Sequence, residues 1–333
     1  MTETFIIAEA GVNHNGRMDL AFKLCDAARA AGADAVKFQT WVTEKIVTSD
    51  TRMADYQRRN LGEAELSQYD MLKSLELSYS QFGEIKRYCD SIGIVFLSTG
   101  DNPEDLEFLL GLGMPMVKLG SGDLSNIPLL RYAGGCGRPV LLSTGMSSMQ
   151  EVRMAYDELR RAGCKDITVL HCTTNYPCPP EEVNLRAMLS IQKELGCPVG
   201  YSDHTLGMEI PVAAVAMGAS VIEKHLTLDR TMEGPDHPAS MEPGEFAMMV
   251  RGIRNIEKAM GDGVKRPNRS EEAISASVRK KIVAACPIPA GTVITESMLA
   301  LKRSPQGMDA WQWDRVVGSA AARDYDTDEA ISL

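Results

Sequence analysis

Short runs rich in Val, Ile and Leu recur along the chain, and each one ends in polar residues. The runs are FIIAEA, AVKFQT, IVFLST, MVKLGS, PVLLST, ITVLHC, PVGYSD and SVIEKH. Runs of this length and β-branched content predict buried strands. The segments between them carry helix signals. In DNPEDLEFLLGLG, Asn102 stands at the cap position, Pro103 at the first helical position and Glu104 and Asp105 at the positive end, and glycines close the segment. In SSMQEVRMAYDELRRAG, Ser148 and Glu151 have capping-box spacing, Arg160 and Arg161 sit in the last turn, and Gly163 stops the run. Strands alternating with helices imply parallel pairing, and about eight such units close an α/β fold of the (β/α)8 TIM-barrel type.

The pattern changes near the C-terminus. MGDGVKRPNRSEEAISAS, residues 260–277, is polar and glycine-containing, as a linker is. Beyond it, KKIVAACPIPAGTVITESMLALKR shows strand-like runs broken by a Pro and Gly turn. The expected organisation is a barrel over 1–262, a linker over 263–278 and a small mostly-β domain over 279–333. A domain that small is marginal alone, so it is expected to pack on the barrel or on a partner chain.

Composition narrows the function classes. A 44% hydrophobic content over 333 residues suits a globular chain with a substantial core. A formal charge of −10 argues against nonspecific nucleic-acid binding and against an anionic membrane surface, both of which need clustered Lys and Arg. No basic leader precedes a long apolar run, and no segment approaches about 18 apolar residues, so a cytoplasmic location is expected. The eight cysteines form no C-x-x-C and fall in apolar runs, so they read as reduced core thiols.

Barrel chemistry sits at the carboxyl ends of the strands, and here every end is polar. In order, the runs deliver Glu9; Lys37 and Gln39; Ser98 and Thr99; Lys118 and Ser121; Ser143 and Thr144; His171 and Thr173; Ser202, Asp203 and His204; and Glu223 and His225. Side chains two apart share a face, which pairs Lys37 with Gln39, Ser202 with His204, and Glu223 with His225. The seventh and eighth strands are neighbours in a closed barrel, so His204 and His225 come within reach of one divalent ion, Mn²⁺ or Mg²⁺ with Co²⁺ possible, in an incomplete site open to substrate. The alternative is that each histidine only hydrogen-bonds in the barrel mouth. Lys37 and Lys118 are either ion-paired structural lysines or, with Ser121, Ser143, Ser202 and Thr99, the cations and donors of a phosphate and carboxylate site. NHNG reads as a tight turn with Asn15 and Gly16 at positive φ, which makes His14 a loop residue rather than a ligand.

AEAGVNHNG, VKFQT, KLGSGD, LLSTGM, HCTTNYP, GYSDHT, IEKHLTLD and GPDHPASMEP, in this order, resemble the sialic acid synthase family, whose members include N-acetylneuraminate, legionaminate and pseudaminate synthases. IVAACPIPAGTVITESMLALKR is similar to that family's antifreeze-like SAF domain. The resemblance implies condensation of phosphoenolpyruvate with an N-acylated hexosamine aldehyde and release of phosphate. It puts N-acetylmannosamine first as acceptor, with N-acetylmannosamine 6-phosphate or a 2,4-diacetamido-6-deoxyhexose as alternatives. It implies that His204 and His225 hold the metal, and that Lys37, Lys118, Thr99, Ser121, Ser143 and Ser202 hold the phosphate and carboxylate. By the same resemblance Glu9, Gln39, Tyr176 and Asp236 are expected to contact the open-chain sugar, with Glu9 also directing water or a proton. An amide donor corresponds to Thr174 or Asn175. The resemblance further implies a domain-swapped homodimer in which Arg303 reaches the partner's sugar site. The chain departs from the family pattern at Gly100 and Asp101, at Asp123, where Glu is usual, and in KRSPQG beside Arg303. Competing readings are a metal-dependent or Schiff-base aldolase acting on pyruvate, and a carbohydrate-binding protein that has lost the chemistry.

Overall fold

The computed structural model describes residues 3–61 and 67–333. The eight expected runs form eight strands: β1 (Phe5–Gly11), β2 (Ala35–Thr40), β3 (Val95–Gly100), β4 (Val117–Leu119), β5 (Val140–Ser143), β6 (Ile167–His171), β7 (Val199–Asp203) and β8 (Val221–His225). They pair in parallel in chain order, and β1 pairs with β8 to close a TIM barrel. The strands are almost wholly buried because helices cover their outer face. Ile6, Val36, Phe96, Leu142 and Ile222 pack there against helical residues such as Leu24, Ile85, Leu106 and Phe246. This double burial is why the runs read as continuous apolar stretches.

The helix signals act as expected, except that the Asn102 side chain accepts no cap hydrogen bond. Ser148 Oγ accepts from the Glu151 N–H while the Glu151 carboxylate accepts from the Ser148 N–H at 2.7 Å, and Gly163 ends the helix at φ 114°. Pro103 opens the helix Pro103–Gly111, with the Asp105 carboxylate accepting from the Asn102 N–H. Between β2 and β3 the chain makes a long excursion with short helices Thr43–Ile46, Asp55–Asn60 and Gln68–Leu75. Trp41, Met53, Met71 and Leu75 of this excursion form an apolar cluster with Val12, from the loop after β1.

The chain divides into two compact units, 1–261 and 262–333. In the second, the stretch expected to be linker contains a helix, Arg269–Val278, capped by the Asn268 side chain and the Glu271 carboxylate. None of its residues is buried, so the apolar periodicity that would have announced it is missing. The remainder pairs β9 (Lys280–Ala284) with β10 (Leu299–Arg303) antiparallel around Ile282, Ile288, Ile294, Val316, Tyr325 and Ile331. All eight cysteines are free; Cys286 is exposed in a turn of this unit, so it is not the core thiol expected. Among the described residues no helix is long and apolar enough to cross a membrane.

Candidate active site

Strand register assembles the mouth of the barrel. Glu9 is flanked by Lys37 on β2 and by His225 on β8. Gln39 lies beside Thr99, Thr99 beside Lys118, and Ser202 beside Glu223. The pairing of β1 with β2 shifts between Glu9 and Gly11, where Gly11 has φ 51°. A Cβ at Gly11 would come within 3.3 Å of both Glu9 Oε1 and Gln39 Nε2, so the glycine leaves room for that contact.

These strand ends and the loops after them enclose a cavity of about 260 Å³. Glu9, Lys37, Gln39, Thr99, Lys118, Ser121, Asp123, Ser143, Thr174, Tyr176, Ser202, His204 and His225 line it. The Asn175 amide instead lies 3.5 Å from the Glu182 carboxylate, so Thr174 is the member of that pair that faces the cavity. Arg303 ends β10 in the second unit.

The two lysines are both ion-paired and aimed into the cavity. Lys37 Nζ lies 2.7 Å from Glu9, 3.7 Å from Glu223, and donates to Thr99 Oγ1 at 3.1 Å. Lys118 Nζ lies 3.3 Å from Glu223, whose Oε1 also accepts from Ser202 Oγ at 2.9 Å. Burial works against ionisation of Glu223, but Lys118 and Lys37 outweigh it and hold the carboxyl at about 2. Burial likewise disfavours the Lys37 ammonium, yet Glu223 and Glu9 raise it above its ordinary value. Glu9 goes the other way: burial raises its carboxyl, with Lys37 pulling back and Glu223 adding to the rise. Ser143 Oγ and Thr174 Oγ1 are buried without a hydrogen-bond partner, two hydroxyls left free for a ligand.

At the other side, His204 Nδ1 donates to the Thr173 carbonyl at 2.6 Å. The carbonyl can only accept, so in the neutral ring Nε2 carries the lone pair. Burial lowers His204, and burial together with His204 lowers His225 further, so both imidazoles are neutral. Their ring centroids are 5.5 Å apart. Among the described residues no group of three or more His, Cys, Asp or Glu side chains is placed to hold a metal ion. Two neutral imidazoles facing one cavity still fit an ion that takes its remaining ligands from water and substrate. His225 Nδ1 lies 3.6 Å from Asp236, whose carboxyl burial and Glu9 push up to about 7 against the pull of Lys37. Tyr176 packs its ring 4.1 Å from that of His204.

Several strand-end residues turn elsewhere. His171 Nε2 contacts the Val183 carbonyl at 2.7 Å. Asp203 pairs with Lys224 at 2.5 Å and accepts from the Thr205 N–H and Oγ1, fixing the turn that follows His204. His14 is buried in its turn, its Nδ1 accepting from the Gly16 N–H at 3.0 Å. Glu223 was legible only as a strand end and proves to be the carboxylate shared by both lysines. Asp101, Met146 and Cys172 also line the cavity. They come from loops whose course no periodicity predicts.

Comparison with known proteins identifies the family and the fold. The NeuB family model matches residues 24–265 and the SAF domain model residues 279–333. The N,N′-diacetyllegionaminic acid synthase of Campylobacter jejuni is 43% identical over 99% of both chains. That of Legionella pneumophila is 43% identical over 95% of this chain and 89% of its own. The crystal structure of an N-acetylneuraminic acid synthetase from Leptospira borgpetersenii superposes with a TM-score of 0.71 at 34% identity, covering 83% of this chain and 93% of that one.

Proposed function

The chain belongs to the NeuB family of sialic acid synthases, enzymes of phosphoenolpyruvate-using condensation, and we propose that it joins phosphoenolpyruvate to an open-chain N-acylated hexosamine. Water is the third reactant, and a nine-carbon 2-keto acid sugar and phosphate are the products. The observation that supports this most is the composition of one cavity. Lys37 and Lys118 line it together with the hydroxyls of Thr99, Ser121, Ser143, Thr174 and Ser202 and with the paired imidazoles of His204 and His225. As acceptor, the two relatives named for N,N′-diacetyllegionaminic acid favour a 2,4-diacetamido-6-deoxyhexose over the N-acetylmannosamine that the motifs put first. N-acetylmannosamine is the second reading, favoured by the likeness to the N-acetylneuraminic acid synthetase structure.

In this reading Lys37 and Lys118, with Thr99, Ser121, Ser143 and Ser202, hold the phosphate and carboxylate by charge-assisted hydrogen bonds. Glu9, Gln39, Tyr176 and Asp236 hold the sugar so that its aldehyde carbon meets the phosphoenolpyruvate methylene carbon. His204 and His225 would hold a divalent ion, Mn²⁺, Mg²⁺ or Co²⁺, which when bound supplies Lewis-acid polarisation of the aldehyde oxygen. The new C–C bond forms as the enol double bond is consumed, water adds at the phosphate-bearing carbon, and the C–O bond to phosphate breaks. The water oxygen becomes the 2-keto oxygen, one of its protons leaves with the phosphate, and the other passes to the former aldehyde oxygen. In this reading Glu9, a carboxyl raised by burial that accepts a hydrogen bond from Gln39 at 3.0 Å, carries it. In a domain-swapped homodimer, Arg303 would reach the sugar held by the partner's barrel. The test is phosphate release with phosphoenolpyruvate, Mn²⁺ and a panel of aldehydes. A condensation product formed from pyruvate without phosphate release, or no phosphate release with any aldehyde, would overturn the reading.

A further inference from the structure

Tyr176 is held from two sides. One side faces His204, at 4.1 Å between ring centroids, and Tyr56 contacts it at 4.9 Å. Tyr56 belongs to none of the barrel strands. It sits on the helix Asp55–Asn60 of the excursion between β2 and β3, a segment that no motif in the sequence marks. The same helix makes a second contact with the site: Asn60 Nδ2 donates to the Pro235 carbonyl at 2.6 Å, one residue before Asp236. Neither tethered residue is fixed by a strand. Tyr176 follows β6 in a loop, and Asp236 lies in the loop after β8. A short helix thus touches the two loops that carry Tyr176, which lines the cavity, and Asp236, which stands 3.6 Å from His225, while Lys37, Thr99 and Lys118 are set by strand register.

We propose that Tyr56 and Asn60 are positioning residues that set acceptor selectivity, Tyr56 by backing the Tyr176 ring against His204 and Asn60 by anchoring the loop of Asp236. The inference rests on the assignment of the sugar to the Tyr176 and Asp236 end of the cavity. Tyr176 meets Tyr56 and His204 at interplanar angles of 32° and 33°, so a shift of its ring to suit a new substituent has to displace one of those neighbours. The stack therefore defines which neutral, acetamido-bearing acceptor fits beside it, and a bulkier or charged terminus is discriminated by what the brace permits. Selectivity then belongs to the excursion and not to the barrel.

The experiment compares Tyr56→Ala, Tyr56→Phe and Asn60→Ala with the unaltered chain, reading KM for the aldehyde and for phosphoenolpyruvate separately. Tyr56→Ala raises the aldehyde KM by about tenfold or more while the phosphoenolpyruvate KM stays within about twofold, and Tyr56→Phe, which keeps the ring, restores the aldehyde KM. Asn60→Ala moves the same parameter in the same direction. Equal rises in both KM values, tracking a lower Tm, would mean a purely structural role and overturn the proposal. A second arm titrates the full chain with the alditols of the same sugars, which cannot react, by calorimetry. Alditol binding that weakens in Tyr56→Ala upholds the brace even if no aldehyde is turned over, which would sink the reaction alone. Alditol binding and aldehyde KM both unchanged in Tyr56→Ala, with turnover intact, would sink the brace and leave the reaction standing.

Discussion

His204 and His225, on the ends of adjacent strands, hold their rings at 68° to one another with centroids 5.5 Å apart. Their lowered basicity keeps both nitrogen lone pairs available near neutral pH. Replacing His204 by Ala removes half of that donor pair. Metal-dependent phosphate release is expected to fall by about 10²-fold or more, and binding of Mn²⁺ in equilibrium dialysis to fall with it. Dialysis that finds Mn²⁺ bound equally by His204→Ala would remove the histidine from the proposed metal site.

Lys37 is the only ion-pair partner of Glu9 among the described residues, and both side chains are 2% exposed. Lys37→Met leaves a buried carboxylate without a cation, at a cost of about 3–5 kcal/mol. Glu223 keeps Lys118 in that variant, so the loss is centred on Glu9. Urea denaturation reads the stability change, and the phosphoenolpyruvate KM rises in the same protein. An unchanged denaturation midpoint would mean that the pair contributes nothing to the fold.

Gly145 has no room for a side chain. A Cβ there would stand 2.1 Å from Thr174 Oγ1 and 2.9 Å from Ser121 Oγ, the hydroxyl that accepts from the Gly145 N–H at 2.9 Å. Gly145→Ala therefore pushes two cavity hydroxyls apart, and it is expected to raise the phosphoenolpyruvate KM by about tenfold or more with a small change in Tm. Kinetics indistinguishable from the unaltered chain would place the substrate away from this wall.

Thr174 and Asn175 are neighbours with opposite orientations, one lining the cavity and one turned toward Glu182. Thr174→Val keeps the shape and removes a hydroxyl that has no protein partner. Substrate affinity falls by about 1–2 kcal/mol in that variant, while Asn175→Ala stays within about 0.5 kcal/mol. The reverse order in steady-state kinetics would show that the loop turns over when substrate binds.

Acid stability has a specific source outside the catalytic cavity. Burial lowers both His14 and His237 from 6.5 to about 4. Between those values the unfolded chain binds protons that the folded chain refuses, so stability is complete above about pH 6.5 and falls as the pH drops toward 4. The slope is up to about 1.4 kcal/mol per pH unit for each histidine. Denaturant midpoints at pH 5 and pH 7 check the sign, and His14→Asn should flatten the dependence. A midpoint that rises on acidification would contradict it.

The sequence by itself determined the barrel and most of its mouth. Eight β-branched runs separated by capped helices leave one way to bury both faces of the strands, and a period of two decides which side chain at each strand end points inward. Spacing alone thus pairs Lys37 with Gln39 and Glu223 with His225, and the ordered motifs carry the family. Tertiary structure decided what no local rule encodes. The strand register gave both lysines to Glu223 and only Lys37 to Glu9, because hydrogen bonding between strands, not spacing within them, sets which ends are level. The turn after β6 chose Thr174 over Asn175. The helix Arg269–Val278 formed from its cap without a buried face, and so without an apolar signature. Tyr56 reached the active site from a polar excursion of the chain, since long-range packing brings together residues that sequence distance keeps apart.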